Sequence, residues 1–267
     1  MRLLNIGSGS SGNATYIGSG DTHILIDAGL SRKRIKEGLN SIDADLKDLS
    51  AILITHEHID HIKSLGVLLR TADIPVYATE ETIEQIECTW SLGDYDHELL
   101  RPIEPDVDYE IGELTIRPLS VSHDAANPVC YKAVETRTGK SLAVVTDLGV
   151  PTEHLCDNLK GLDMLMLEAN HDVRMLEVGP YPYQLKQRIL GSCGHLANET
   201  SGKLLSRLLH DNIKEIILGH VSRENNTREL AKLAVEAEID RSETCYKAKD
   251  FEINVARHDM MSKLMEA

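Results

Sequence analysis

The feature that most constrains this chain is a cluster of metal-capable side chains in the segment Thr55-His56-Glu57-His58-Ile59-Asp60-His61. The short apolar run before it, residues 51–54, is typical of a buried strand. The run after it, residues 62–69, has apolar residues at helical spacing. The segment is therefore predicted to lie on the turn that leaves the carboxyl end of a strand, where open α/β sheets place their sites.

The spacing within this segment favours two metal ions over one. Because side chains alternate in extended backbone, His56 and His58 are expected to point the same way. Asp60 and His61 then begin the helix and face a second point nearby. A single ion needs about three protein ligands and an open position, so four ligands packed this closely indicate a dinuclear site.

Further metal-capable residues follow predicted strands downstream. His123 comes after the strand predicted at residues 114–119, Asp147 after residues 141–146, and His220 after residues 215–219. Ligands that arrive repeatedly at strand ends argue against the alternative, a solvated histidine-rich loop. Imidazoles and carboxylates suit Zn²⁺ and also Mn²⁺, and the sequence does not separate the two metals.

The pattern His-x-His-x-Asp-His at residues 56–61 resembles the signature of the metallo-β-lactamase superfamily. The resemblance runs from about residue 3 to residue 230. It implies an α+β fold, a four-layer αββα sandwich, in a single domain over residues 1–267 with no inserted β-CASP domain. Within the superfamily, the chain resembles the YycJ/WalJ exonuclease branch at residues 8–13, 122–124, 168–172 and 219–222.

The resemblance also implies a complete dinuclear site. Asp27, which follows an early strand, is expected to accept the free ring N–H of a ligating histidine and so fix its tautomer. Two neighbouring ions lower the pKa of a shared water toward about 7, so a metal-bridging hydroxide is the expected nucleophile, with Asp60 orienting it. We assign His56, His58 and His123 to one metal ion, Asp60, His61 and His220 to the other, and Asp147 to a bridging position.

Phosphodiester cleavage also needs a proton for the leaving oxygen. The segment from Asp163 to His220 resembles ribonuclease Z, in which a Glu after a strand pairs with a Gly-His before a helix. The resemblance implies that Glu168 orients His195, which acts as general acid. The alternative for His195 is a histidine at a helix start that bonds only to backbone. Leu167 stands where ribonuclease Z has a His, which argues against a tRNA substrate.

Polar and basic residues near these motifs are candidate substrate contacts. The Gly/Ser loop at residues 7–12 either cradles a phosphate with its backbone N–H groups or is a tight turn between strands. A basic helix after the predicted N-cap Ser31 either contacts phosphates or is an ordinary charged face. His171 touches substrate or the metal shell, or it caps its own loop. The predicted substrate contacts are Ser8, Ser10, Asn13, Arg32, Asn170, His171, Arg174 and Arg223.

Charge and composition bear on the substrate. The net charge of −15 argues at first against a nucleic-acid partner. Residues 80–113, however, hold twelve acids and one base, a net of −11, so the other 233 residues sum to only −4. The low aromatic content of 4% counts against base stacking, and Tyr181 and Tyr183 are the only ring pair near the predicted acid.

Two features concern the cellular setting. No apolar run reaches the roughly 18 residues of a membrane span, so no membrane partner is expected. Five dispersed cysteines without a CxxC pair are typical of reduced thiols, which predicts a cytoplasmic protein.

The motifs together predict a dinuclear-metal phosphodiesterase, and the resemblance to the YycJ/WalJ branch implies a 5′→3′ exonuclease that acts on DNA rather than RNA. The alternative is a small-molecule metallo-hydrolase of the same fold, a thioesterase or lactonase, because a given fold does not fix a function. A regulatory metal-binding scaffold is disfavoured, since no ligand of the set is missing. Protein partners are not indicated by the sequence.

Overall fold

The computed structural model describes all residues from Met1 to Ala267. It contains nine α-helices, fourteen strands and four short 3₁₀ turns. The strands are β1 (Arg2–Gly7), β2 (Ala14–Ser19), β3 (Thr22–Ile26), β4 (Ala51–Leu53), β5 (Val76–Thr79), β6 (Leu100–Ile103), β7 (Tyr109–Ile111), β8 (Leu114–Ser120), β9 (Val129–Glu135), β10 (Ser141–Val145), β11 (Met164–Glu168), β12 (Glu215–Gly219), β13 (Ile253–Val255) and β14 (Met265–Glu266). The helices are α1 (Arg32–Asn40), α2 (Ile59–Ile62), α3 (Leu65–Leu69), α4 (Glu80–Glu87), α5 (Glu153–Asn158), α6 (Val173–Val178), α7 (Tyr183–Leu190), α8 (Asn198–Leu208) and α9 (Arg228–Arg241).

The strands form two seven-stranded sheets, both of mixed parallel and antiparallel pairing. Their orders are β14-β1-β2-β3-β4-β5-β6 and β13-β12-β11-β10-β9-β8-β7. The chain divides into two compact units, which are described separately. Unit 1 comprises Met1–Ser120, Ala125–Lys140 and Arg257–Glu266, and unit 2 comprises Val121–Asp124, Ser141–Ala256 and Ala267.

Unit 1 contains the whole of the first sheet. Strands β14, β1, β2 and β3 pair antiparallel, and β3, β4, β5 and β6 pair parallel. Its core holds large side chains from strands and helices, among them Tyr16, Leu25, Ile35, Ile52 and Leu65. Strands β7, β8 and β9 form an antiparallel meander in the same unit. The parallel half of the sheet brings the carboxyl ends of β3 and β4 to one edge.

Unit 2 is built around the parallel strands β10 to β13. The three pairs β10–β11, β11–β12 and β12–β13 are all parallel, and the side chains of β10, β11 and β12 are almost entirely buried. Parallel strands need crossover connections, which α5 and the segments containing α6 to α9 supply. The carboxyl ends of β10, β11 and β12 therefore meet at a single edge.

Most predicted elements are present, and two predictions were wrong. The predicted helix at residues 62–69 is split into α2 and α3. For the extreme C-terminus, the sequence predicts a short helix, but Met265 and Glu266 instead form strand β14, paired with Arg2 and Leu3 of β1. Ser31 caps α1 as predicted, accepting a hydrogen bond from the Arg34 N–H at 3.4 Å. None of the helices has the length and apolar character of a membrane span.

Candidate metal centre

In unit 1, the predicted metal motif lies where two neighbouring parallel strands end. Strand β3 ends at Ile26, which is opposite Leu53 at the end of β4. Asp27 follows the first strand, and the segment that begins at Thr55 follows the second. The prediction that the motif leaves the carboxyl end of a strand is confirmed, and Asp60 and His61 lie in the short helix α2.

The three histidine rings of this motif are close together. Nε2 of His56 lies 3.0 Å from Nδ1 of His58, and the ring centroids of His56 and His61 are 4.1 Å apart. In a tetrahedral site with Zn–N bonds of about 2.0–2.1 Å, two ligand nitrogens are about 3.3 Å apart. The His56–His58 separation is therefore compatible with a cation bound by both rings.

A buried carboxylate fixes the orientation of His61. Oδ2 of Asp27 lies 2.7 Å from Nδ1 of His61, and Oδ1 accepts a hydrogen bond from the Thr55 N–H at 2.9 Å. The Thr55 hydroxyl lies 3.0 Å from both Asp27 oxygens and 3.0 Å from Nδ1 of His56. With Nδ1 of His61 held by a carboxylate, Nε2 is the ring nitrogen that would bind a metal, and it also lies 3.0 Å from the Asn13 amide nitrogen.

Asn13 and Gly29 hold the helix that carries Asp60 and His61. The Asn13 amide nitrogen lies 3.3 Å from Oδ2 of Asp60 and 3.0 Å from Nε2 of His61, and its backbone N–H donates to the Asp60 carbonyl at 2.8 Å. A Cβ on Gly29 would lie 1.6 Å from that same carbonyl oxygen. Only glycine allows the backbone to approach α2 this closely.

In unit 2, four predicted site residues form one cluster. Asp147, Glu168 and His220 follow or end the neighbouring strands β10, β11 and β12, and His195 precedes α8. One ligand atom from each of the four lies within 4.8 Å of the others. Oδ2 of Asp147 lies 3.4 Å from Nδ1 of His220, and Oδ1 lies 3.8 Å from Nε2 of His123. These separations also suit ligands that share a cation.

The pairing of Glu168 with His195, predicted from the sequence, is present in the structure. Oε1 of Glu168 lies 2.8 Å from Nδ1 of His195. The Glu168 side chain is fully buried, and Oε2 accepts hydrogen bonds from the Leu148 N–H at 2.8 Å and the Leu196 N–H at 3.4 Å. A carboxylate held by backbone donors on one oxygen is free to orient the imidazole with the other.

The turn before His195 also orients His123. Nδ1 of His123 lies 3.1 Å from the carbonyl oxygen of Gly194, which directs Nε2 toward Asp147. Burial lowers the pKa of His123, with the nearby Asp147 carboxylate acting in the opposite direction. The ring is therefore neutral at pH 7, which is the protonation state that binds metals.

Three of the predicted site residues have backbone conformations that non-glycine residues rarely adopt. Asp27, Asp147 and His220 have φ angles of 62°, 57° and 51°. Asp27 and His220 come directly after buried strands, and Asp147 comes two residues after the end of β10, so the chain turns sharply near each strand end and presents the side chain at the sheet edge. Such strain is concentrated at functional sites in proteins.

The predicted substrate contacts fall into two groups. Four are buried: Asn13 beside the motif in unit 1, Ser8 bonded to it at 3.2 Å, and in unit 2 Asn170, which donates to the His220 carbonyl at 2.9 Å, and His171. The exposed group contains Ser10, Arg32, Arg174 and Arg223.

Sequence reasoning missed the structural roles of several residues that hold the site together. Thr55 braces Asp27 and His56, and its position between strand and metal motif was the available signal. Asn198 and Asn226 form two reciprocal amide hydrogen bonds of 3.0 and 2.8 Å, and Asn226 also donates to the carbonyls of Ala169 and Asn170. No local pattern could have shown that pair.

The donor set in both units fits a divalent metal. Buried imidazoles with one nitrogen hydrogen-bonded to protein, together with carboxylates 3 to 4 Å away, are the ligands that Zn²⁺ and Mn²⁺ use. The β-lactamase superfamily domain matches residues 22–220 of the chain. The chain therefore belongs to the β-lactamase superfamily, and with this candidate site it is a metal-dependent hydrolase.

Particular relatives narrow the comparison. The chain is 38% identical to the exodeoxyribonuclease YycJ of Bacillus anthracis over 230 residues, 86% of each protein. It is 40% identical to the exodeoxyribonuclease WalJ of Streptococcus pneumoniae over 230 residues, which are 86% of this chain and 85% of the relative. The structural alignment with YhfI of Bacillus subtilis, a metallo-β-lactamase fold protein, covers 98% of this chain and 99% of the YhfI chain. Its TM-score is 0.71, and the sequence identity is 17%. The predicted fold class and the predicted YycJ/WalJ resemblance are confirmed.

Proposed function

We propose that the chain is a dinuclear-metal phosphodiesterase that removes nucleotides from DNA in the 5′→3′ direction. The two most informative relatives are named exodeoxyribonucleases and align with 86% of the chain. The observation that carries the proposal is the 2.8 Å contact between Glu168 and His195. A nuclease must protonate a sugar oxygen, a poor leaving group, and this pair is a carboxylate-oriented imidazole suited to that task.

The proposed metal ligands are those predicted from the sequence. When bound, two divalent ions, Zn²⁺ or Mn²⁺, supply a nucleophile from water at neutral pH and neutralise charge on the phosphate. Asp27 and Thr55 keep the ring of His61 in one tautomer, and the Gly194 carbonyl does the same for His123. The residues that would hold the ions are His56, His58 and His123 for one, Asp60, His61 and His220 for the other, and Asp147 as a ligand to both.

Two side chains then have separate roles in the reaction, one at the attacking water and one at the leaving oxygen. Asp60 accepts a hydrogen bond from the attacking water and orients it. Because Nδ1 of His195 is occupied by Glu168, Nε2 is the atom that delivers the proton to the leaving oxygen. The proposed contacts to the polyanionic substrate are Ser8, Ser10, Asn13, Arg32, Asn170, His171, Arg174 and Arg223.

Three broader predictions belong to the same proposal. We propose DNA rather than RNA as substrate, on the strength of the relatives' names. The single-domain organisation over residues 1–267 without a β-CASP insertion is likewise proposed from the sequence. A cytoplasmic location is supported by the five cysteines, all of which are free thiols.

The direct test is nuclease activity with added Mn²⁺ or Zn²⁺ on 5′-labelled single- and double-stranded DNA and RNA. The proposal predicts early release of the 5′ label as a mononucleotide from DNA. Asp147→Ala should abolish this release and His195→Ala should slow it strongly. His154→Ala, which removes an exposed histidine of the same unit, is the matched control and should act like wild type.

Two results would contradict the proposal. A ladder of progressively shortened products that keep the 5′ label would mean the opposite polarity. Metal-loaded wild type that cleaves no nucleic acid but turns over a thioester or lactone would identify a small-molecule hydrolase.

A further inference from the structure

The helical hairpin at residues 173–190, which contains α6 and α7, presents an exposed apolar and basic surface. Val178 and Tyr183 are 87% and 74% exposed, although large apolar side chains are normally covered. The hairpin carries Arg174, Lys186 and Arg188 against a single acid, Glu177, a net charge of +2 in a chain of net charge −15. An exposed ring among basic residues is the composition of single-strand nucleic-acid surfaces.

The hairpin is rigid rather than a loose loop. The Lys186 ammonium donates to the carbonyl of Glu177 at 2.7 Å, which ties the start of α7 to the end of α6. The connection contains Pro180 and Pro182, whose fixed φ angles limit the backbone on either side of Tyr181. The exposed Tyr183 ring is therefore attached to a backbone that is already ordered. Stacking a base on the ring costs little backbone entropy for that reason.

The same helix leads directly into the proposed catalytic residues of unit 2. The His195 N–H donates to the carbonyl of Ile189, at the end of α7, at 3.0 Å. Arg188 forms a two-point ion pair with Asp124, the residue after His123. The six helical steps from Tyr183 to Ile189 span about 9 Å. Tyr183 is therefore separated from the His195 turn by about three nucleotides at the rise of about 3.4 Å between stacked bases.

We propose that this hairpin is a binding platform for a single-stranded stretch of the substrate, with a base stacked on Tyr183 about three nucleotides from the scissile phosphate. The inference rests on the proposed nuclease function and adds to it the form of the substrate. Arg174 and Lys186 attract the backbone, whereas the ring recognises an unpaired base, whose face is not available within a duplex.

The first test is equilibrium binding, which does not depend on catalysis. Fluorescence anisotropy would follow a labelled ten-nucleotide single strand with phosphorothioate linkages, and a duplex of the same sequence. Tyr183→Ala should weaken single-strand binding about tenfold or more, while leaving duplex binding unchanged. Tyr183→Phe keeps the ring and should bind like wild type. Trp90→Ala removes an equally isolated ring, 91% exposed within the acidic segment of unit 1, and should also bind like wild type.

The second test uses substrate length. Tyr183→Ala should raise KM for a ten-nucleotide strand and leave kcat/KM for a dinucleotide unchanged, because a dinucleotide does not span the roughly 9 Å between Tyr183 and the His195 turn. Unchanged single-strand binding by Tyr183→Ala, an equal loss for duplex, or wild type that binds no strand would each overturn the platform. If wild type cleaves DNA and Tyr183→Ala is equally active on the ten-nucleotide strand, the platform proposal is wrong and the nuclease proposal stands. If wild type binds the single strand but shows no nuclease activity, and Tyr183→Ala loses that binding, the exonuclease proposal is wrong and the platform proposal stands.

Discussion

Oδ2 of Asp27 lies 2.7 Å from Nδ1 of His61, and both side chains are buried. The Asp27 carboxylate can determine which nitrogen of His61 binds a metal without being a metal ligand itself. By occupying Nδ1 it leaves Nε2 of His61 as the ligand atom, and it does so from the strained end of the neighbouring strand. The two residues are 34 positions apart in the sequence, and the parallel pairing of β3 with β4 is what brings them together.

Asp27→Asn should weaken metal binding about 10- to 100-fold, the usual effect of losing a partner that orients a ligand. The amide keeps the shape but not the charge, and Asn tolerates the left-handed backbone. Competition against a chromogenic chelator would measure the change. Asp43→Asn is the matched control, because Asp43 is exposed and has a φ of 60°. Equal metal affinities for wild type and Asp27→Asn would show that Asp27 does not orient His61 for metal binding.

Gly29→Ala should destabilise the protein by more than about 2 kcal/mol and also weaken metal binding, because the new Cβ would collide with the Asp60 carbonyl. Denaturant unfolding and metal titration would measure the two effects. In Gly139→Ala, the Cβ meets nothing within 4 Å, but the positive φ of 73° costs about 1–2 kcal/mol. This control should lower stability alone. If both variants bind metal like wild type, the close approach of Gly29 does not position α2.

The sequence could place the predicted ligands at strand ends, because apolar spacing made the strands and helices visible. It predicted one helix over residues 62–69 because local spacing is all that such a pattern records. The structure splits that helix through long-range hydrogen bonds: the Asp60 carbonyl accepts from the Asn13 N–H at 2.8 Å, and the Ser64 N–H donates to the Ala28 carbonyl at 2.8 Å. Groups that would have continued the helix are bonded to a distant loop instead.

The same limit explains the other wrong prediction. The C-terminal residues have good helix propensity, but Met265 and Glu266 complete a strand pair with residues near the amino terminus. Tertiary pairing overrides local preference there, and nothing within residues 256–267 could show it. The brace formed by Thr55 and the buried pair of Asn198 and Asn226 are likewise products of the fold, because their partners are distant in sequence.

His171 should make the stability depend on pH. Burial lowers the pKa of His171 from 6.5 to about 4. The unfolded chain therefore binds a proton between about pH 6.5 and 4 that the folded chain rejects. Stability is retained above pH 6.5 and is lost as the pH falls toward 4, by about 3 kcal/mol in total. Urea unfolding of wild type and His171→Gln across this window should show a shallower loss in the variant. The same slope in both proteins would contradict the prediction.

The general-acid role of His195 predicts a dependence on the leaving group. His195→Ala should slow hydrolysis of a dinucleotide, whose leaving group is a sugar hydroxyl, by about 10²- to 10⁴-fold. The p-nitrophenyl ester of thymidine 5′-phosphate has a leaving group that needs no proton, so its hydrolysis should fall far less. Glu168→Gln should show the same selectivity in a weaker form, because the imidazole remains but loses its orienting carboxylate. Steady-state kcat for both substrates would measure the contrast, with metal content checked in each variant. An equal fall for both substrates would mean that His195 binds metal or maintains the site, and that the proton comes from another group.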